Sequence, residues 1–309
     1  MYRVRGTVRD KNNLAKLEPI KQAFGSDLYE SLEIVEADLL SKDSLTAAIN
    51  GATFVVHVAS PFFYGASDDE MIKPAVDGTL AVMEACKASK TLKRIVVTSS
   101  IAAVSNLSKD KRPSEKCTMD ESYWSEPDRP EGLSAYAKSK TLAERAAWDF
   151  HKSLSEDEKF ELVTICPSAV MGPPFRKEGF QSGDTAKKIL EGSFETIVNG
   201  TDAFVDVRDV SMAHVNAVAV PEAANMRFIA AAETLKWVEL AKILAEEFNP
   251  KGFKAHTKES EKVDPVETYF DNSASKNILH VTYRPMKETM IDMVNKMIEL
   301  DMVSMPAST

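Results

Sequence analysis

Short β-branched runs alternate with longer amphipathic stretches through the first half of the chain, and no other feature narrows the possible folds as much. Tyr2 to Val8 reads as a strand, followed by a charged helix from about Asn13 to Phe24. Leu32 to Ala37 is a second strand, and Leu45 to Asn50 a short helix. Thr53 to Ala59 is too uniformly apolar for a half-exposed strand, so it is expected buried in mid-sheet. A helix over Glu70 to Ser89 leads to another buried strand, Arg94 to Ser99. After a polar excursion from about Asn106 to Leu133, one long helix spans Ser134 to Ser155, and Leu162 to Pro167 closes the series. Such alternation is the mark of βα units around a parallel sheet.

Beyond Pro167 the rhythm loosens. Loops carry Gly172-Pro173-Pro174-Phe175 and the stretch Gly179 to Gly183. A strand near Phe204, a helix from Val210, a strand at Arg227 to Ala230 and helices near Leu235 to Phe248 and Pro285 to Leu300 complete the chain. The expectation is an α/β fold: a parallel-sheet domain over residues 1–167 and a smaller, interleaved substrate lobe over 168–309, with a strand near 203–207 returning to the sheet.

The 309 residues suffice for a large core. A net charge of -9 excludes polyanionic partners, because nucleic acid or an acidic membrane would be repelled. Cys86, Cys117 and Cys166 are odd in number and scattered, which points to a reducing compartment and a cytoplasmic protein. No run approaches the roughly 20 apolar residues of a membrane span, and the start, Met1-Tyr2-Arg3-Val4-Arg5, does not read as a secretory signal. The five histidines never fall at metal-ligand spacing, so no metal is expected.

Chemistry concentrates at Tyr136-Ala-Lys-Ser-Lys140. A phenol and an ammonium four residues apart share one helical face. A free phenol, with a pKa near ~10, is a poor base at neutral pH, and an adjacent positive charge favours its ionised form. Lys140 supplies that charge, and its ammonium can also donate to the ribose hydroxyls of a nicotinamide cofactor. Upstream, Thr98-Ser99-Ser100 ends a buried strand, where Ser100 could share a substrate oxygen with Tyr136. The alternative is an ordinary amphipathic helix with the Tyr136 ring on the core and Lys140 solvated. The succession of buried strand, Thr-Ser-Ser, loop and helix favours catalysis.

Those residues, with Asp120-Glu121-Ser122-Tyr123-Trp124, Tyr136 to Trp148 and Pro167-Ser-Ala-Val170-Met-Gly-Pro173, resemble the extended short-chain dehydrogenase/reductases. Within them the match is to the dihydroflavonol reductase and cinnamoyl-CoA reductase-like branch, and it runs from Tyr2 to about Leu300. The resemblance implies a Rossmann-like NADP-binding domain and a catalytic triad of Ser100, Tyr136 and Lys140, with Ser99 the residue most easily confused with the serine. It implies that Arg9 meets the adenosine 2′-phosphate, favouring NADPH over NADH, with Lys16 as a second phosphate contact. Asp38 and Leu39 would border the adenine, although Asp38 reads nearly as well as a turn or N-cap residue. Val58, Ala59 and Ser60 would lie along the pyrophosphate and ribose, and Pro167 and Val170 near the nicotinamide. Thr98 and Ser99 join that cofactor set, as do Tyr136 and Lys140.

One element of the family pattern is missing. The twelve glycines form no Gly-x-Gly-x-x-Gly, the turn whose amides cradle a pyrophosphate at a helix N-terminus. The chain opens at what would be the second strand, so the first βα unit, central in the usual strand order, is expected to be lacking. Two groups of strands would then face an unpaired gap. Truncation, degeneration, or replacement by another segment or partner would each explain this, and truncation is preferred because the triad is intact. The chain is expected to bind cofactor poorly and fold marginally.

The reading is an NADPH-dependent aldehyde or ketone reductase acting on a small carbonyl or alcohol, as a monomer or homodimer. The other hypothesis is a non-catalytic Rossmann-like remnant serving as a binding protein. Phe62, Phe63, Tyr64, Tyr123, Trp124 and Phe175 could line an apolar substrate pocket or simply pack the lobe. Arg208 and Asp209 read as a structural ion pair, and Trp148 and His57 as core residues.

Overall fold

A computed structural model describes residues 2–60, 67–111, 116–177, 181–262 and 267–306. The chain runs β1 (Arg5–Val8), α1 (Leu14–Phe24), α2 (Ser26–Glu30), β2 (Glu33–Glu36), α3 (Lys42–Ile49), β3 (Phe54–His57), α4 (Asp68–Ala88), β4 (Arg94–Thr98), β5 (Lys116–Met119), α5 (Ala135–Ser153) and β6 (Glu161–Pro167). It continues through β7 (Ala169–Met171), α6 (Gln181–Leu190), β8 (Ile197–Asn199), β9 (Thr201–Asp206), α7 (Val207–Ala219), β10 (Arg227–Ala230), β11 (Glu233–Lys236), α8 (Trp237–Phe248), β12 (Glu259–Lys262), β13 (Glu267–Phe270), α9 (Ser273–Asn277) and α10 (Met286–Glu299). It divides into two compact units. One comprises Met1–Asn106, Ser125–Thr164 and Ala217–Arg227, and the other Leu107–Trp124, Ile165–Asn216 and Phe228–Thr309. The units interleave along the chain.

In the first unit β3 pairs in parallel with β4, from Phe54 opposite Arg94 to His57 opposite Val97. The sheet they belong to has the order β10-β6-β4-β3, and the boundary between the units passes through β6 and β10. β4 is buried as its sequence requires, with Ile95 and Val96 wholly enclosed. β3 differs from expectation: it ends its sheet instead of lying in the middle, and Val56 is 45% exposed. The reason is that, among the described residues, β1 and β2 pair only with each other, from Arg5 opposite Glu33 to Val8 opposite Glu36, as a separate two-stranded parallel sheet. An apolar run thus faces solvent because, among the described residues, no strand pairs with β3 on that side.

Two contacts tether the β1–β2 pair. The Tyr2 ring meets Phe54 edge to face with centroids 5.9 Å apart. Arg5 donates from Nη1 to the carbonyls of Ala48 and Asn50 at 2.8 and 2.9 Å, holding the end of α3. Helix starts follow capping chemistry: Ser67 and Glu70 form a capping box at α4, and Ser134 accepts from Ala137 N at the start of α5. α4 packs along α5. Beneath them Leu45, Met83, Cys86, Ile95, Val97, Ala147 and Leu162 form one apolar cluster. Each large side chain fully enclosed there contributes roughly 2 kcal/mol.

In the second unit β9 pairs in parallel with β7 and antiparallel with β11. The strand near Phe204 therefore belongs to a three-stranded sheet of order β11-β9-β7 instead of returning to the larger one. A single residue, Ser168, separates β6 from β7, and the short strand it begins is the one β9 joins. Phe204, Leu240, Leu244, Phe248, Met290 and Met293 make the core of this unit. Several short elements went unforeseen, β5 and α6 among them. β5 is only four residues long inside a polar stretch, and α6 contains Gly183, a poor helix former.

Arg208 and Asp209 are each ion-paired, but not to each other. Arg208 binds Asp206 and Asp292, both at 2.7 Å, while Asp209 pairs with Arg284. Burial pushes the Asp206 carboxyl up, yet hydrogen bonds from Arg208 and Thr289 outweigh it and hold the group below its ordinary value.

Candidate active site

The first unit brings together Ser100, Tyr136 and Lys140. Ser100 follows β4 in extended conformation and caps a short turn at Ile101–Ala103, accepting from Ala102 N at 3.1 Å. Its position is fixed by a strand with no solvent-facing side. Tyr136 and Lys140 stand one turn apart on α5, with the Lys140 Nζ 5.9 Å from the Tyr136 ring centroid. α5 is stapled internally by Ser139 Oγ to Tyr136 O at 2.8 Å and Thr141 Oγ1 to Ala137 O at 2.7 Å.

The Tyr136 phenol lies above its ordinary value: burial raises it, and a hydrogen bond with Ser100 lowers it in part. The sequence reading had the neighbouring ammonium favouring the ionised form. Desolvation wins instead, and the phenol stays protonated at neutral pH. His57, ending β3, is buried as expected, and its imidazole is lowered to about 4, first by burial and then by the Lys140 charge.

A buried polar cluster that sequence reasoning passed over lies beside this set. Glu144 accepts Ser99 Oγ at 2.6 Å, Thr164 Oγ1 at 2.8 Å and Arg227 through Nε and Nη2 at 2.8 and 2.9 Å. Glu144 and Arg227 are 2% and 8% exposed. The available signal was the spacing: Glu144 repeats the four-residue step from Tyr136 to Lys140, so it had to face inward with them.

The remaining positions are more dispersed. Arg9, just past β1, and Lys16 on α1 are exposed. Asp38 and Leu39 are half-buried, and one Asp38 carboxylate oxygen accepts from Leu40 N at 2.9 Å, as a turn residue does. Val58 and Ala59 are exposed after β3, Ser60 and Thr98 half-buried. Pro167 and Val170 belong to the second unit, in β6 and β7. Phe175, also in that unit, is 66% exposed, and Tyr123 and Trp124 are half-buried there. Phe62, Phe63 and Tyr64 lie outside the described residues.

This donor set suits the two ends of a nicotinamide dinucleotide. The exposed Arg9 guanidinium is fitted to a ribose phosphate, and Lys140 beside Tyr136 to a ribose diol. For the pyrophosphate between them the sequence offers no glycine-rich cradle. Among the described residues no group of acidic, histidine and cysteine side chains could hold a metal ion.

Comparison with known proteins places these features in a lineage. The chain is 33% identical over 306 residues to tetraketide alpha-pyrone reductase 1 of Arabidopsis thaliana, covering 96% of this chain and 88% of the relative. It is 35% identical over 310 residues to cinnamoyl-CoA reductase 1 of Petunia hybrida, covering 99% and 87%. The crystal structure of yeast methylglyoxal/isovaleraldehyde reductase complexed with NADPH superposes with a TM-score of 0.82 at 26% identity, over 97% of this chain and 92% of that one. Residues 8–231 match the model of the 3-beta hydroxysteroid dehydrogenase/isomerase family. The α/β architecture, the helix bearing Tyr136 and Lys140, and this match over most of the sequence make the chain a member of that family, within the extended short-chain dehydrogenase/reductases.

Proposed function

We propose that this chain is an NADPH-dependent reductase of small aldehydes or ketones, working through Ser100, Tyr136 and Lys140. The observation that carries the reading is the Ser100–Tyr136 hydrogen bond in a buried setting, with the Lys140 ammonium 5.9 Å from the phenol ring. Ser100 and Tyr136 together hold the substrate oxygen, and Tyr136, protonated at neutral pH, gives it a proton as negative charge develops. Lys140 stabilises the phenolate that remains and anchors the nicotinamide ribose. When bound, the reduced nicotinamide supplies the hydride. A phenol kept in its acid form suits carbonyl reduction better than alcohol oxidation.

Arg9 is the residue this reading gives the preference for the phosphorylated form, and a relative supports that preference: the yeast structure was solved with NADPH. Three buried cysteines outside any disulfide agree with a cytoplasmic site of action. The second reading, a non-catalytic Rossmann-like binding protein, is favoured by the open edge of β3 and the absence of a glycine-rich motif.

Screening NADPH oxidation by the chain against aldehydes and ketones, alongside Tyr136→Phe, separates the two. The reductase reading expects carbonyl-dependent turnover that the variant lowers roughly 100- to 10,000-fold. Turnover unchanged by Tyr136→Phe would sink the mechanism.

A further inference from the structure

From the buried contacts around Ser100 we infer that Glu144 and Arg227 form a positioning pair, clamping the segment that carries Ser100 so that its hydroxyl is held against the Tyr136 phenol. The inference rests on the reductase reading of Tyr136 and adds two residues to it.

The geometry is two-sided. Glu144 Oε2 takes the hydroxyl of Ser99, immediately before Ser100, at 2.6 Å. Arg227 Nη2, paired with that same oxygen at 2.9 Å, donates to the carbonyl of Ala103 at 3.1 Å, three residues after Ser100. The Ser100-bearing turn is therefore gripped on both flanks by one ion pair. The other end of the grip is α5 itself, because Glu144 lies eight residues beyond Tyr136 on the same helical face. Strand, turn and helix are thus fixed to one carboxylate, which sets the spacing between the Ser100 and Tyr136 hydroxyls.

A pair built only for stability could be expected to be apolar, since replacing buried ion pairs by packed hydrophobic residues is often neutral or stabilising. What an ion pair adds is direction. The Arg227 fork and the carboxylate fix orientation in a way aliphatic side chains cannot. Positional errors of about 1 Å can cost roughly 100-fold in rate, so direction matters at this point.

The test uses two single-hydroxyl deletions on the same carboxylate. Ser99→Ala removes the link from Glu144 to the Ser100 segment, whereas Thr164→Val removes the 2.8 Å hydrogen bond from β6 and leaves that segment gripped. Two readouts are taken. One is titration of the Tyr136 phenol without cofactor, by ultraviolet difference absorbance against Tyr136→Phe. The other is kcat and KM for carbonyl reduction. Ser99→Ala is expected to move the phenol midpoint upward by about half a pH unit, about threefold in its ionisation constant, because the Ser100 hydrogen bond that lowers it is loosened. It is also expected to reduce kcat roughly tenfold with KM little changed. Thr164→Val is expected to leave both readouts near wild type. Equal responses from the two variants, or none from Ser99→Ala, would overturn the inference. Glu144→Leu combined with Arg227→Met provides a further check: a folded double variant with an unmoved phenol midpoint also overturns it. Because the phenol titration needs no turnover, absence of reductase activity would refute the function without deciding the clamp.

Discussion

His57, at the carboxyl end of β3, and Lys140, on α5, oppose each other electrostatically: the lysine charge adds to burial in holding the imidazole down to about 4. Removing the charge should release the histidine. Lys140→Met is expected to raise the His57 midpoint in an NMR titration, toward but not up to the free value, because burial is the larger cause and remains. An unmoved midpoint would mean the two groups do not sense each other.

The same depression makes stability depend on pH. The folded value near 4 lies below the ordinary 6.5, so the unfolded chain binds the proton more readily between them. The stabilising contribution is complete above about pH 6.5 and is lost as pH falls through the folded value, amounting to about 3 kcal/mol in all. Urea melts across this window should show a shallower acid limb for His57→Gln than for wild type.

Arg94 is a costly interior residue to lose. It is 4% exposed, donates from Nε to Glu161 at 2.6 Å, and from Nη1 to the carbonyls of Ala217 and Val220, both at 2.6 Å. Arg94→Met should destabilise the first unit by roughly 3 kcal/mol, since several buried acceptors lose their donor at once. Chemical denaturation measures this directly.

Gly172 is a second fragile point, for a steric reason. Its φ of 129° suits no other residue, and an added Cβ would stand 2.9 Å from Val207 Cγ1. Gly172→Ala is expected to cost about 1–3 kcal/mol in thermal unfolding.

Cofactor binding tests the missing cradle. A nicotinamide fluorescence titration of the 309-residue chain is expected to show weak NADPH binding, and Arg9→Gln should reduce its preference over NADH roughly tenfold. Tight stoichiometric binding by the unaltered chain would contradict the first expectation.

Most of the architecture was legible in advance because periodicity and capping are local. The bounds of β4, α5, β6 and β10 fall within a residue or two of those read from sequence, and Tyr136 with Lys140 followed from helical spacing alone. What escaped was set by neighbours distant in sequence. The uniformly apolar Thr53 to Ala59 run says that β3 prefers burial, but not whether a strand exists to cover it. Spacing turns Glu144 inward with Tyr136 and Lys140, but nothing near it in the sequence names its partner, Arg227, from the far side of the chain. Arg208 and Asp209 are adjacent in sequence, yet Arg208 turns to nearby Asp206 and to Asp292 of α10, and Asp209 to Arg284, the residue preceding the α10 cap.

Two four-residue strands that pair only with each other can be opened by water at little cost. Arg9 and Asp38 sit at the carboxyl ends of β1 and β2, where a dinucleotide of the kind proposed would bridge them. A ligand that binds only the closed form stabilises it in proportion to the logarithm of its concentration. Were Arg9 and Asp38 to hold the cofactor as proposed, resistance of this chain to proteases at β1 and β2 would follow the surrounding NADPH supply, and scarcity of cofactor would become a route to degradation as well as to idleness.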